Sequence, residues 1–112
     1  MNAIRNQVQL IGRLGQDPEI VTFDNGNKLA KFSLATDDSY KDKQGEKVER
    51  TQWHNVIVTG GLVQVVESYI AKGKEIAVQG KLTNRSYEDK EGNTRYITEV
   101  LCNELLMLGP KA

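Results

Sequence analysis

The chain is poor in the residues that most often do chemistry. Of its 112 residues, one is cysteine, one is histidine and one is tryptophan. Cys102 alone cannot form an internal disulfide, so a reducing, cytosolic setting is expected. A zinc site needs about four ligands at short local spacing, and no such cluster surrounds His54 or Cys102. There is no glycine-rich phosphate loop, and no nucleophile motif accompanies His54. Asp37 and Asp38 are adjacent, so on a strand they point to opposite faces, a poor start for a paired-carboxylate site. These absences argue against an enzyme, and no catalytic residue, metal or cofactor is expected.

An excess charge of either sign is also missing. Fifteen Lys and Arg balance fifteen Asp and Glu. Nucleic-acid binders are usually basic, so neutrality counts against that class unless the cations share a face. No stretch approaches the roughly 18 apolar residues that span a bilayer. Residues 1–13 have no apolar core of signal-peptide length. No membrane association is expected. The length fits one domain, set at residues 1–109 with a short remnant at 110–112. A domain this small leaves much surface exposed, so oligomerisation is a natural route to stability.

What is present is strand patterning. Val8, Leu10, Gly12 and Leu14 alternate with Gln7, Gln9, Ile11 and Arg13, which predicts a strand over about residues 4–14. Residues 15–18 supply turn chemistry. Residues 20–23 are a short extended piece, and the Asn25-Gly26 pair is a hairpin signal because it accepts positive φ cheaply. Ala30, Phe32, Leu34 and Thr36 mark a second strand. Residues 37–49, polar with Gly45 at the centre, form a long protruding hairpin tip. Residues 50–59 form a third strand, with Gln52, His54, Val56 and Val58 on one side and Thr51, Trp53, Asn55 and Ile57 on the other.

One helix follows. Leu62, Val65, Val66, Tyr69 and Ile70 fall on a single apolar stripe, with Gly60-Gly61 before it and Gly73 as its C-terminal cap. Residues 74–86 resume strand patterning, residues 88–93 are a charged turn, and residues 94–108 close the chain as a long strand. The order is three strands, a helix and two strands. A five-stranded Greek-key barrel with its helix between strands three and four is the OB-fold; an SH3-like or other small β-barrel shares the pattern. No internal repeat is evident. Phe23, Phe32 and Tyr69 follow apolar periodicities and are expected in the core. The run Leu105 to Leu108 breaks alternation and belongs either to the core or to a subunit interface.

The surface chemistry suits single-stranded nucleic acid, which is gripped by aromatic faces that stack on bases and by cations that track the backbone. Tyr40 opens the first charged hairpin, followed by Lys41 and Lys43. Trp53 lies on the strand leaving it, near Arg50. Tyr87 opens the second charged turn beside Arg85, with Lys81 on the same strand. Tyr40, Trp53 and Tyr87 are the expected base-stacking residues. Arg13, Lys31, Lys41, Lys43, Arg50, Lys81, Arg85 and Arg95 are the expected phosphate contacts. The bland alternative is core packing for each ring and a solvated tip for the charged run. His54 should face away from Trp53, as a buried, hydrogen-bonded or interface residue.

Several segments, in order along nearly the whole chain, resemble the bacterial single-stranded DNA-binding protein family. Residues 12–19, Gly-Arg-Leu-Gly-Gln-Asp-Pro-Glu, resemble its GxLGxDPE signature. Leu34-Ala35-Thr36 with Tyr40 resembles LAT…W, and residues 51–56 resemble TxWHxV. Residues 68–73, 80–82 and 92–96 resemble xYLxKG, GxL and GxxRY. The resemblance implies an OB-fold homotetramer that wraps single-stranded DNA in replication, recombination and repair, in the bacterial cytoplasm at the nucleoid. It implies that Tyr40, Trp53 and Tyr87 stack on bases, that His54 lies near a subunit interface, and that the first strand, through Gln7 and Gln9, pairs between subunits. Two departures stand out. Many members carry Trp where this chain has Tyr40 and Tyr87, and Phe where it has Thr59, which predicts weaker or shorter-footprint binding, since each stack contributes roughly 1–3 kcal/mol. Members usually continue into a glycine-rich linker and an acidic tip, so no acidic-tail recruitment of repair enzymes is expected from these residues. Rival expectations are a dimeric primosomal adaptor of the same fold, an RNA-binding OB domain and a barrel nuclease.

Overall fold

Residues 3–108 are described by a computed structural model; the remnant at 110–112 lies outside the described residues, as do residues 1, 2 and 109. The strands are β1 (Val8–Leu14), β2 (Glu19–Thr22), β3 (Lys28–Asp37), β4 (Tyr40–Lys41), β5 (Lys47–Val48), β6 (Thr51–Thr59), β7 (Glu75–Glu88) and β8 (Thr94–Met107). The helix α1 (Leu62–Tyr69) falls between β6 and β7.

The five long strands pair in the order β1-β7-β8-β6-β3, with β6 and β8 parallel and the rest antiparallel. β1 also meets β3, through Arg13↔Ala35 and Leu14↔Leu34. The ring is therefore drawn together at a seam only two residue pairs long. This is the Greek-key arrangement of the OB-fold. Gly12 makes the seam possible, because a Cβ there would lie 2.1 Å from the Ala35 carbonyl oxygen. Inside the ring, alternate residues of each strand point inward. Leu34, Val56, Val58, Val66, Ile76 and Val78 are fully buried.

Several expectations are corrected in detail. The first strand does not begin at residue 4. Ala3–Asn6 is a 3-10 turn, because the Asn6 carboxamide pairs with the backbone of Leu82: its Nδ2 donates to the Leu82 carbonyl and its Oδ1 accepts from the Leu82 N–H, both at 3.0 Å. A side chain thus occupies a place in the ladder that backbone would otherwise take. Val66 and Ile70 of the expected stripe are buried and Leu62 packs on the core, but Val63, not Tyr69, completes the buried side. Tyr69 is 65% exposed and is not core. The α1 axis is set by its packing on β3 and β6, and that turns Tyr69 to solvent.

Phe23 is likewise 48% exposed. It follows β2, an edge strand paired only with β3, and lines an open cleft with Leu29, Thr59 and Val63. Gly73 does not cap α1, whose C-cap is Ile70. It sits in the next turn, donating its N–H to the Leu14 carbonyl at 2.9 Å. The run from Leu105 divides between both expectations: Leu105 packs on the core, while Leu106 and Met107 are exposed. Phe32 is buried as expected.

Candidate nucleic-acid interface

Cross-strand partners share a face of the sheet, so register places the outward side chains. One row runs Lys31↔Ile57↔Leu101↔Lys81 across β3, β6, β8 and β7. The next runs Ser33↔Asn55↔Glu99↔Thr83. Ala35 pairs with Trp53 and with Arg13. On the β7–β8 arm, Arg85↔Ile97 and Tyr87↔Arg95 continue the same side. Trp53, Tyr87, Lys31, Lys81, Arg85 and Arg95 therefore belong to one outward surface. Lys31 and Lys81 flank it three strand spacings apart, about 14 Å.

Trp53 is 60% exposed. Its ring rests against the chain at Gly15, where a Cβ would lie 2.5 Å from Cζ3 and 2.7 Å from Cη2. Glycine leaves room for the indole to lie on the β1 end with its remaining surface open. Tyr87 and Tyr40 are about half exposed. Tyr40 belongs to the separate β4–β5 ladder, where it pairs with Val48. The Arg50 guanidinium stands 5.9 Å from the centroid of its ring, a cation–π distance.

The two hairpin tips are the same device. Tyr40-Lys41-Asp42-Lys43-Gln44-Gly45 and Tyr87-Glu88-Asp89-Lys90-Glu91-Gly92 occupy equivalent places. In each, the Asp Oδ1 accepts two backbone N–H groups, from Gln44 and Glu46 in the first tip and from Glu91 and Asn93 in the second, at 2.9–3.0 Å. A short repeat is thus present where the sequence suggested none. It adds Lys90, the counterpart of Lys43, to the exposed cations, and only the D-K-x-G spacing could have signalled it.

The cations divide by partner. Among the described residues, Lys31, Lys41, Lys43, Lys81 and Lys90 make no ion pair. The arginines are engaged. Arg85 donates from Nε to Glu99 Oε1 at 2.8 Å and from Nη2 to Oε2 at 3.2 Å. Arg95 donates from Nε to Asp89 Oδ2 at 2.9 Å. Arg50 lies 4.0 Å from the Asp38 carboxylate. Arg13 turns to the Gly73 carbonyl at 3.1 Å. Glu99 is the residue sequence reasoning missed: a carboxylate only 4% exposed, on the outward side of β8. Its hydrogen bonds raise the Arg85 guanidinium above its ordinary pKa. The Arg95 contact, with backbone N–H groups, holds Asp89 below the usual carboxylate range.

The oligomer candidates do not converge. His54 pairs across to Leu34 and its Nε2 lies 3.0 Å from Thr36 Oγ1, so it is half-buried and hydrogen-bonded. Gln9 sits at the other end of β1, in a row with Gln79 and Glu104, and Gln7 is exposed just before β1. Beside Gln9 runs an apolar row, Ile11↔Ala77↔Leu106, whose two large members are exposed. Among the described residues there is no group of three or more His, Cys, Asp or Glu able to hold a metal ion, and no helix is long and apolar enough to cross a membrane.

Residues 5–108 match the model of the single-strand binding protein family. A single-stranded DNA-binding protein 1 of Xylella fastidiosa (strain 9a5c) is 47% identical over 107 residues, covering 95% of this chain and 79% of that protein. The Bacteroides thetaiotaomicron single-stranded DNA-binding protein is 44% identical, covering 95% and 67%. That of Neisseria meningitidis serogroup A is 39% identical, covering 93% of this chain but 60% of the relative. Among solved structures, the Plasmodium falciparum SSB complex with ssDNA superposes with a TM-score of 0.85 at 33% identity, over 93% of this chain and 95% of that one.

Proposed function

Since the chain belongs to the single-strand binding protein family, we propose that it binds and protects single-stranded DNA without catalysing a reaction, in replication, recombination and repair. Bases stack on Trp53, Tyr87 and Tyr40, and phosphates settle on lysines. The observation that carries this is the open indole of Trp53 on the same outward surface as Tyr87, flanked by Lys31 and Lys81, which have no ion partner. Exposed aromatics beside unpaired cations are what sequence-tolerant single-strand binding requires. Phosphate binding rests on Lys31, Lys41, Lys43, Lys81 and Lys90 more than on Arg13, Arg50, Arg85 or Arg95, each of which already engages a carboxylate or a carbonyl. A homotetramer in the bacterial cytoplasm, at the nucleoid, is part of the same proposal. Its support is the exposed Ile11–Ala77–Leu106 row on the outer side of β1, β7 and β8.

Titration with oligo-dT tests it through the one tryptophan. Quenching of Trp53 emission is expected at low salt. The affinity should fall with salt at a log–log slope of roughly −3, because each phosphate neutralised on a single strand contributes about −0.7 and five lysines are available. No quenching, or equal affinity for duplex DNA, overturns the proposal.

A further inference from the structure

Arg85 is placed where a phosphate clamp would be useful, yet its charge is already matched. Both Glu99 oxygens accept from it, and the carboxylate is sealed from water. A guanidinium carries five N–H donors in a fixed fork. Glu99 consumes one on Nε and one on Nη2. The edge formed by Nη1 and the second Nη2 proton remains, as two roughly parallel donors on a side chain 52% exposed. The pair is net neutral, so it attracts a phosphate weakly, but its geometry is fixed in advance. That combination suits the edge of a neutral ring.

The location suits it too. Arg85 and Glu99 border a cleft of about 250 Å³ whose apolar wall is Ile57 and Ile97 and whose polar floor is Ser33 and Asn55. Trp53 stands two residues before Asn55 on β6, and Tyr87 two residues after Arg85 on β7, all on the same side. A base held near these rings turns its edge toward the cleft. Two parallel donors require two neighbouring acceptors. Cytosine offers N3 and O2, and guanine offers N7 and O6. Thymine separates its carbonyls by an N–H; adenine sets its amino group beside N1 and N7, where donor meets donor, and its N3 has no second acceptor beside it.

We propose that the Arg85–Glu99 pair is a base-edge reading site for cytosine or guanine, set within otherwise sequence-tolerant stacking. This rests on the single-stranded DNA reading above. The experiment measures binding of dC and dT oligonucleotides of about eight nucleotides, within the site size of one OB-fold, to the unmodified protein, Arg85→Lys and Glu99→Gln. Lysine keeps the charge against Glu99 but loses the fork. A bidentate contact discriminates by about 1 kcal/mol or more, so the dC-to-dT affinity ratio should fall about fivefold in Arg85→Lys. In Glu99→Gln the freed guanidinium should steepen the salt slope on dT by about 0.7.

In the unmodified protein, the Arg85 Nε–H resonance should move on adding dC and stay with dT, which needs no variant to fold. An unaltered ratio in folded Arg85→Lys, an unaltered slope in folded Glu99→Gln, or equal resonance shifts with both oligonucleotides overturns the proposal. Failure of the unmodified protein to bind either oligonucleotide overturns the single-stranded DNA reading itself.

Discussion

A single missing methyl group sets the Trp53 platform. The indole lies where the Cβ of any other residue at position 15 would be, 2.5 Å from Cζ3. Gly15 is not in the left-handed region, so alanine there is tolerated by the backbone and stabilises the chain slightly, if anything, through the unfolded state. Gly15→Ala should therefore leave the melting midpoint unchanged or raised while displacing the ring. A displaced ring forfeits part of a stack, about 1 kcal/mol, or roughly fivefold in oligo-dT affinity. Fluorescence titration beside thermal melting checks this; parallel losses of stability and affinity would mean that the glycine serves folding alone. Trp53 was legible in the sequence because it sits out of phase with Val56 and Val58. Glu99 was not, because its burial depends on a guanidinium fourteen residues away in sequence laid across it.

Elements held by their own alternation were legible almost to the residue: β3, β6 and the two tips. Those set by a distant partner were not. The start of β1 is decided by Asn6 against Leu82, and the orientation of α1 by its docking on β3 and β6. Six apolar residues in nine gave two overlapping stripes of nearly equal merit, and only the sheet beneath chooses between them. The β7–β8 arm has a condition of its own, since its turn hangs on the Asp89 carboxylate. Its pKa is lowered, first by Arg95 and then by the Asn93 N–H. A depressed carboxylate contributes stability that is whole above its unfolded value, near 3.8, and is lost as pH falls through its folded value. Amide protection factors at Glu91 and Asn93, with the intrinsic pH dependence of exchange divided out, should thus be flat from neutrality to about pH 4 and fall below it. Asp89→Asn, which keeps an oxygen for both amides but drops the ion pair with Arg95, should exchange faster at neutral pH and lose most of that acid step. An acid step unchanged in the variant would assign it to another carboxylate.

The whole molecule exposes more than a single chain of this mass usually does. Its accessible surface is 8431 Å², against about 6,200 Å² for a typical monomer of this mass. Its radius of gyration is 16.1 Å, against about 13 Å for a compact domain of this length. The outstretched hairpins account for part of the excess, and the outer face of β1, β7 and β8 for another. There Ile11, Ala77 and Leu106 form a row across three strands, between Gln9↔Gln79↔Glu104 on one side and Arg13↔Glu75 on the other. Apolar residues exposed singly need no explanation; a cross-strand row rimmed by polar pairs has the form of a contact surface. The row contains none of Trp53, Tyr87, Lys31 or Lys81, so copies joined through it need not bury those side chains. Light scattering should give four chain masses for the unmodified protein. Ile11→Glu would have to bury a carboxylate among apolar neighbours, a cost of several kcal/mol, and should give one or two chain masses. Each dissociated chain should still quench on a short oligo-dT, because Trp53, Lys31 and Lys81 are untouched, while affinity for long oligo-dT falls as linked sites are lost. Four masses retained in Ile11→Glu would move the interface elsewhere on the surface.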